Sequence, residues 1–187
     1  MENITKLLFE AIMLKNIPRS GYHFLGSGKE SVAEHSFSIT FIAYIMSQMT
    51  TGINALRIIS MCIVHDLPEA RTGDLNYVQK KYVTPDEKKA VNDTVRNLPF
   101  GESIADLIRE FNKCETQEAM LAHDADQISF ILELKTLSDI GYVAPKKWLA
   151  TVLQRLKTET GKQIAESIMK TEWDAWWFDN YVEKPEV

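Results

Sequence analysis

The sequence is poor in the residues that staple or interrupt small folds. It carries two cysteines, six prolines and eight glycines in 187 residues. The cysteines, Cys62 and Cys114, make neither a disulfide framework nor a C-x-x-C pair. Cys62 lies in an apolar run, where a free thiol behaves as a small hydrophobe. Reduced thiols in a cytoplasmic protein are the expectation. The low proline and glycine content excludes collagen-like and low-complexity chains. No run of about 18 apolar residues occurs, so no membrane span is expected. The N-terminal stretch mixes Glu2, Lys6 and Glu10 among its apolar residues and does not read as a signal peptide. A cationic excess is also missing, with 21 Lys and Arg against 26 Asp and Glu, a net charge of −5. A broad nucleic-acid-binding face needs basic residues against phosphate and is therefore excluded. A small anion held by one or two local cations is not.

What is present is helical patterning on a chain long enough for one domain, residues 1–187, with a substantial core. Ile4, Leu7, Leu8 and Ile12 set a helix over 2–16, followed by an irregular stretch from Pro18 to Lys29. Ser31-Val-Ala-Glu34 is a capping box that opens a second helix. Asn54 is a good cap for a third, over about 54–66. Pro68, Gly73 and Pro85 punctuate a loop region, and helices are predicted at roughly 86–97, 103–112, 115–140 and 146–180. Strand-like alternation is absent. The expected fold is all-α, a single compact helical bundle. Trp173, Trp176, Trp177 and Phe178 are read as core or dimer packing.

Three of these helices carry polar residues on apolar stripes. His35 falls in register with Ile39, Ile42 and Met46, and His65 with Ile58 and Cys62. Asp66 follows Ile59 and Ile63, and Asp126 lies in the apolar run from Ala125 to Leu134. A buried carboxylate costs several kcal/mol unless it is paired or binds a cation. Singly, each residue is explained by core hydrogen bonding or a helix cap. Together, two imidazoles and two carboxylates on inner faces make a mixed N/O set that suits a divalent metal. Gly26-Ser27-Gly28-Lys29 hints at a phosphate loop, but His23 and Glu30 stand where GxxxxGK[ST] needs Gly and Ser or Thr, and no strand precedes it.

Ala33-Glu34-His35-Ser36, His65-Asp66-Leu67-Pro68-Glu69-Ala70 with Thr72-Gly73-Asp74, and Asp124-Ala125-Asp126 together resemble the H…HD…D pattern of the HD-domain metal-dependent phosphohydrolases. The resemblance covers residues 15–135, with a metal-binding core over about 31–135 and C-terminal helices over 146–180. It is closest to the 5′-deoxynucleotidases. It implies an HD-type helical bundle and one divalent ion (Co, Mn, Mg or Zn) on His35, His65, Asp66 and Asp126. One ion is implied because only His123 lies between the HD pair and the last Asp. Asp124 and Asp126 sit about 200° apart on a helix and cannot both face one site. Spacing and resemblance agree on Asp126, and whether His123 lines the site stays open.

The resemblance further implies that Glu69 manages protons and that Asp74 assists it or orients the substrate sugar. It places Arg19, with a planar fork suited to phosphate, and Tyr22 on the substrate. Lys80 and Lys81 are read as solvated charges. The implied activity is hydrolysis of the 5′-phosphomonoester of a deoxyribonucleoside monophosphate by a homodimer, with no nucleic-acid polymer or membrane as partner. The alternatives are an HD phosphohydrolase for another phosphorylated metabolite, and a nucleotide-binding HD domain without catalysis.

Overall fold

The computed structural model describes residues 1–181; the last six residues of the 1–187 domain lie outside the described residues. No strand forms among the described residues, and an antiparallel bridge joins Pro18 to Ser31. The helices are α1 (Glu2–Met13), α2 (Val32–Met49), α3 (Ala55–Val64), α4 (Glu69–Thr72), α5 (Glu87–Val95), α6 (Gly101–Lys113), α7 (Gln117–Asp139), α8 (Ala144–Leu153), α9 (Glu159–Lys170) and α10 (Ala175–Tyr181). The Ser31 capping box and the Asn54 cap form as their sequences require.

α7 is the axis of the bundle, packed on α2, α3, α6, α8 and α9. Its buried residues run round most of its circumference, as a central helix requires. Ile128, Ile131 and Leu134 join Ile39 and Met46 of α2, Ile58 and Met61 of α3, and Val152 of α8 in one core. Ala43, Ala122 and Ala125 are fully buried and let α2 and α7 approach closely.

The predicted single helix over 146–180 is three helices. The first break has a polar cause. Asp124 of α7 is completely buried, and its carboxylate accepts hydrogen bonds from Lys157 N at 2.8 Å, Thr158 N at 2.7 Å and Thr158 Oγ1 at 2.6 Å. Those amides are thereby drawn out of the helical ladder. Thr158 then caps α9 by accepting from Gly161 N at 3.0 Å. The second break, at Thr171, ends α9 before the tryptophan-rich segment. Trp173, Trp176 and Phe178 are exposed rather than core, and the first two flank an apolar groove with Met49, Leu132, Ile164 and Ile168.

Two shorter segments position the site. The loop between α1 and α2 is pinned at its base by Arg19 N to Glu30 O at 2.8 Å and Val32 N to Ile17 O at 2.9 Å. Within it, Gly28 has φ 82°, and a Cβ there would stand 2.7 Å from the Tyr22 ring; the glycine seats that ring rather than a phosphate. The four-residue α4 is tied outward by Arg71, which pairs bidentately with Glu10 of α1 while Thr94 of α5 bonds the same carboxylate.

Asp124 therefore holds α7 to the start of α9. Replacing it with Ala removes three bonds to a buried acceptor and is expected to cost about 3 kcal/mol in urea unfolding. Gly161→Ala tests the same joint with opposite propensity. Alanine is the better helix former by about 1 kcal/mol, but its Cβ would sit 2.4 Å from Asp124 Oδ2. Net destabilisation is expected, and a gain in stability would show that the carboxylate moves freely.

Candidate metal centre

The pinned loop, the start of α2, the end of α3 with the turn into α4, and the middle of α7 meet around one cavity of about 310 Å³. His35 enters from the first turn of α2, wholly buried. α3 stops at Val64 rather than reaching 66, with His65 as its C-cap and Asp66 in the following turn. His65 Nδ1 lies 3.0 Å from the Cys62 carbonyl, to which it donates, and this leaves Nε2 on the side of Asp66 and the cavity. Pro68 opens α4 with Glu69 at its first position, and Gly73, at φ 72°, turns the chain to bring Asp74 back. Asp126 points inward from α7, opposite in direction to Asp124.

Ligand atoms of His35, His65 and Asp126 all lie within 4.8 Å of one another. His35 Nε2 is 2.9 Å from Asp126 Oδ1, without the alignment of a hydrogen bond. Asp66 Oδ2 is 3.1 Å from His65 Nε2 and 3.9 Å from His35 Nε2. Two imidazole nitrogens beside two carboxylates fit a divalent ion of borderline hardness. Their buried atoms fit it too: His35 Nε2, Asp66 Oδ2 and Glu69 Oε2 are buried and make no hydrogen bond.

Arg19 reaches into this acidic set. Its NH1 is 3.6 Å from Asp66 Oδ2 and 3.9 Å from Asp74 Oδ2, and its Nε is 4.0 Å from Glu30 Oε2. Burial works against the guanidinium charge, but Asp126, Asp66 and Asp74 outweigh it and hold the ion firmly. Asp74 also accepts from Ser20 N at 2.9 Å, which fixes the loop against the turn after α4. Burial opposes the charges of Asp66 and Asp126, yet His65, His35 and Arg19 keep both carboxyls below the usual range. Glu69 behaves oppositely. Burial, with Asp66 and Asp74 nearby, pushes its carboxyl up to about 9. Glu69 is thus driven toward its neutral form, opposite to Asp66 and Asp126.

Tyr22 is buried in the cavity wall, its ionisation pushed above the ordinary range by burial and by Glu30 and Glu133. Lys80 lines the cavity, whereas Lys81 stands over the Tyr77 ring, 4.8 Å from its centroid. His123 is not among the lining residues. It stacks on Phe111 at 4.1 Å, and its Nε2 lies 2.8 Å from the Phe111 carbonyl. Phe111 itself lines the cavity, so the histidine stands behind its wall.

Sequence reasoning passed over several residues of the site, four of which bear on its chemistry. Glu30 Oε2 lies 3.8 Å from His35 Nδ1 and backs that imidazole. Gln127, Phe130 and Trp148 form the wall beyond Asp126. Helical spacing from Asp126 was a usable signal for Phe130. Trp148 had none, because it arrives on α8 through tertiary packing.

Comparison with known proteins agrees with this geometry. The HD domain family model matches residues 11–169. The 5′-deoxynucleotidase HDDC2 of Dictyostelium discoideum is 30% identical over 132 residues, covering 64% of this chain and 70% of that protein. The 5′-deoxynucleotidase hdd1 of Schizosaccharomyces pombe is 26% identical over 131 residues, 65% of each chain. Among solved structures, a conserved hypothetical protein from Pyrococcus furiosus superposes with a TM-score of 0.75 at 28% identity, over 89% of this chain and 99% of that one. A cyanophage S-2L HD phosphohydrolase bound to dA and one catalytic Zn²⁺ ion shares the fold, with a TM-score of 0.54 at 20% identity over 87% of this chain and 96% of that one. With the family model spanning most of its length and its H…HD…D residues gathered at one cavity, this chain belongs to the HD domain family.

Proposed function

We propose that the chain hydrolyses the 5′-phosphomonoester of deoxyribonucleoside monophosphates to nucleoside and phosphate, with one divalent ion on His35, His65, Asp66 and Asp126. One observation carries this reading. Among the described residues, the buried side-chain polar atoms without a partner are Ser20 Oγ, Tyr22 OH, His35 Nε2, Asp66 Oδ2, Glu69 Oε2 and Gln127 Oε1, and every one belongs to the lining of the same cavity. Orphaned buried polar groups are costly, and six in one cavity mark a place built for a polar ligand. The deoxynucleotidase relatives supply the substrate class.

A divalent ion bound there supplies Lewis acidity toward phosphoryl oxygens and a nucleophile at neutral pH. Arg19 binds the phosphate with its planar fork and is held in place by Asp66, Asp74 and the clamped loop. Glu69 holds a proton in a buried, acid-crowded position. As water oxygen bonds to phosphorus and the bond to the sugar 5′ oxygen breaks, Glu69 delivers its proton to the departing oxygen and regains one from the attacking water, whose other proton leaves with the phosphate. Asp74 fixes the loop through Ser20 and faces the sugar side, and Tyr22 closes the wall. Glu30 holds the His35 ring from behind.

We also infer a homodimer working in the cytoplasm. Phe37, Phe41, Tyr44, Ile45 and Met49 form an exposed apolar stripe along α2, which supports a second copy as its cover. The free thiols of Cys62 and Cys114 support a reducing compartment.

Three experiments test this reading. After chelation, turnover of deoxyribonucleoside monophosphates should vanish and return with at least one of Co²⁺, Mn²⁺, Mg²⁺ or Zn²⁺; release of phosphate from no monophosphate with any of them refutes it. Glu69→Ala should lower kcat at least about 100-fold with metal content unchanged, whereas Asp126→Ala should lose the metal itself, both read by elemental analysis alongside kinetics. Phe41→Asp should shift sedimentation from dimer to monomer, and a wild-type chain that sediments as a monomer removes the homodimer.

A further inference from the structure

The metal and the phosphate account for one end of the cavity only. His35, Asp66, Glu69 and Arg19 serve the reacting centre, but the wall running away from it along α7 and α8 has a different chemistry. Gln127 adjoins Asp126, and its Nε2 donates to Asp126 Oδ2 at 2.8 Å. That bond sets the amide's orientation, since the reverse placement would press the amide oxygen against a carboxylate. The other end of the amide, Oε1, is buried and without a partner. Gln127 lines the cavity, and a metal ion would give this acceptor no hydrogen to accept.

Phe130 follows one turn after Asp126 on the same helix face, about 6 Å along the axis. Trp148 reaches it from α8, with ring centroids 6.1 Å apart and planes at 83°. Both rings are partly buried and both line the cavity. Two perpendicular aromatic walls make a corner in which a flat ring can lie against the face of one and meet the edge of the other. A phosphomonoester of a small alcohol would leave this corner and the Gln127 acceptor unused.

We propose that Gln127, Phe130 and Trp148 form the subsite for the leaving group, and that the group they fit is a planar heteroaromatic ring. Trp148 and Phe130 pack against the ring, and Gln127 Oε1 accepts a hydrogen bond from the leaving group. Gln127 therefore serves two partners, steadying Asp126 with its nitrogen and reading the substrate with its oxygen. The proposal rests on the phosphomonoesterase reading above, and it assigns the residues that distinguish a nucleotide from a bare sugar phosphate.

The test compares two substrates on metal-loaded protein: a deoxyribonucleoside 5′-monophosphate, and 2-deoxyribose 5-phosphate, which has the same phosphate and sugar but no ring. The wild type should favour the nucleotide in kcat/KM. Trp148→Ala should lower that ratio at least about tenfold, the usual scale of one base–aromatic stacking contact, and Trp148→Phe should retain most of it. A ratio of one in the wild type, or one unchanged in Trp148→Ala, overturns the proposal. Calorimetry with the nucleoside alone separates this from the activity itself. Nucleoside binding that weakens at least about tenfold in Trp148→Ala supports the subsite even if no monophosphate is turned over, an outcome that would sink the hydrolase reading alone. Nucleoside binding equal in the two proteins overturns the subsite even if hydrolysis is confirmed.

Discussion

A carboxylate taken out of water must be given either several hydrogen-bond donors or a cation, and α7 carries two carboxylates that meet this requirement in opposite ways. Asp124 takes the donors, from Lys157 and Thr158. Asp126, about 200° round the helix, turns toward His35, His65 and Arg19. Much else in the architecture follows. The first solution stops one helix and starts α9 against the central axis. The second fixes where α2, α3 and the Arg19 loop must converge. A helix with a single polar face could not serve both, which is why α7 is buried nearly all round.

The cavity concentrates charge that the net −5 of the chain does not reveal. Glu30, Asp66, Glu69, Asp74 and Asp126 share the cavity lining with Arg19, Lys80 and Arg155. So many like charges in a poorly solvated space cannot all ionise independently. His65, His35 and Arg19 hold Asp66 and Asp126 toward their charged forms, while burial and neighbouring carboxylates push Glu69 and Glu30 toward their neutral ones. The same crowding that makes the cluster attractive to a divalent ion thus creates an acid within it. On the reading proposed above, metal binding and proton handling would both draw on this one arrangement.

Much of this was legible in the sequence, for reasons that can be named residue by residue. The Ser31 box and the Asn54 cap are local chemistry, and their helices begin where that chemistry places them. His35, His65, Asp66 and Asp126 stood out because polar residues on apolar stripes violate the ordinary pattern. The 200° argument separated Asp124 from Asp126 in direction, but it said nothing of what Asp124 holds. The carboxylate in fact holds the start of α9 from 33 residues away in sequence, and periodicity over 146–180 carries no trace of so distant an acceptor. Thr158 ahead of Gly161 was the local sign of a cap, outweighed by the helical pattern on either side. Trp148 and Glu30 act through neighbours that only folding supplies. Gly28 shows the converse: a suggestive local motif whose real cause is the ring of Tyr22 lying across it.

The tie between Arg71 and Glu10 bears on how this protein loses function short of unfolding. α4 has four residues, too few to sustain a helix by its own hydrogen bonds, so its geometry is borrowed from α1 and α5. The borrowed contacts lie near the surface, where α1 has no fully buried residue and frays at low free-energy cost. Detachment of α1 therefore releases the segment that carries Glu69 while α2, α3 and α7 stay packed. Such a partly opened form would lose only the helix of these short segments and keep His35, His65 and Asp126 together, yet leave Glu69 unpositioned. The N-terminal helix, remote from this segment in sequence, is in this sense the clamp on Glu69, the proton donor of the proposed reaction.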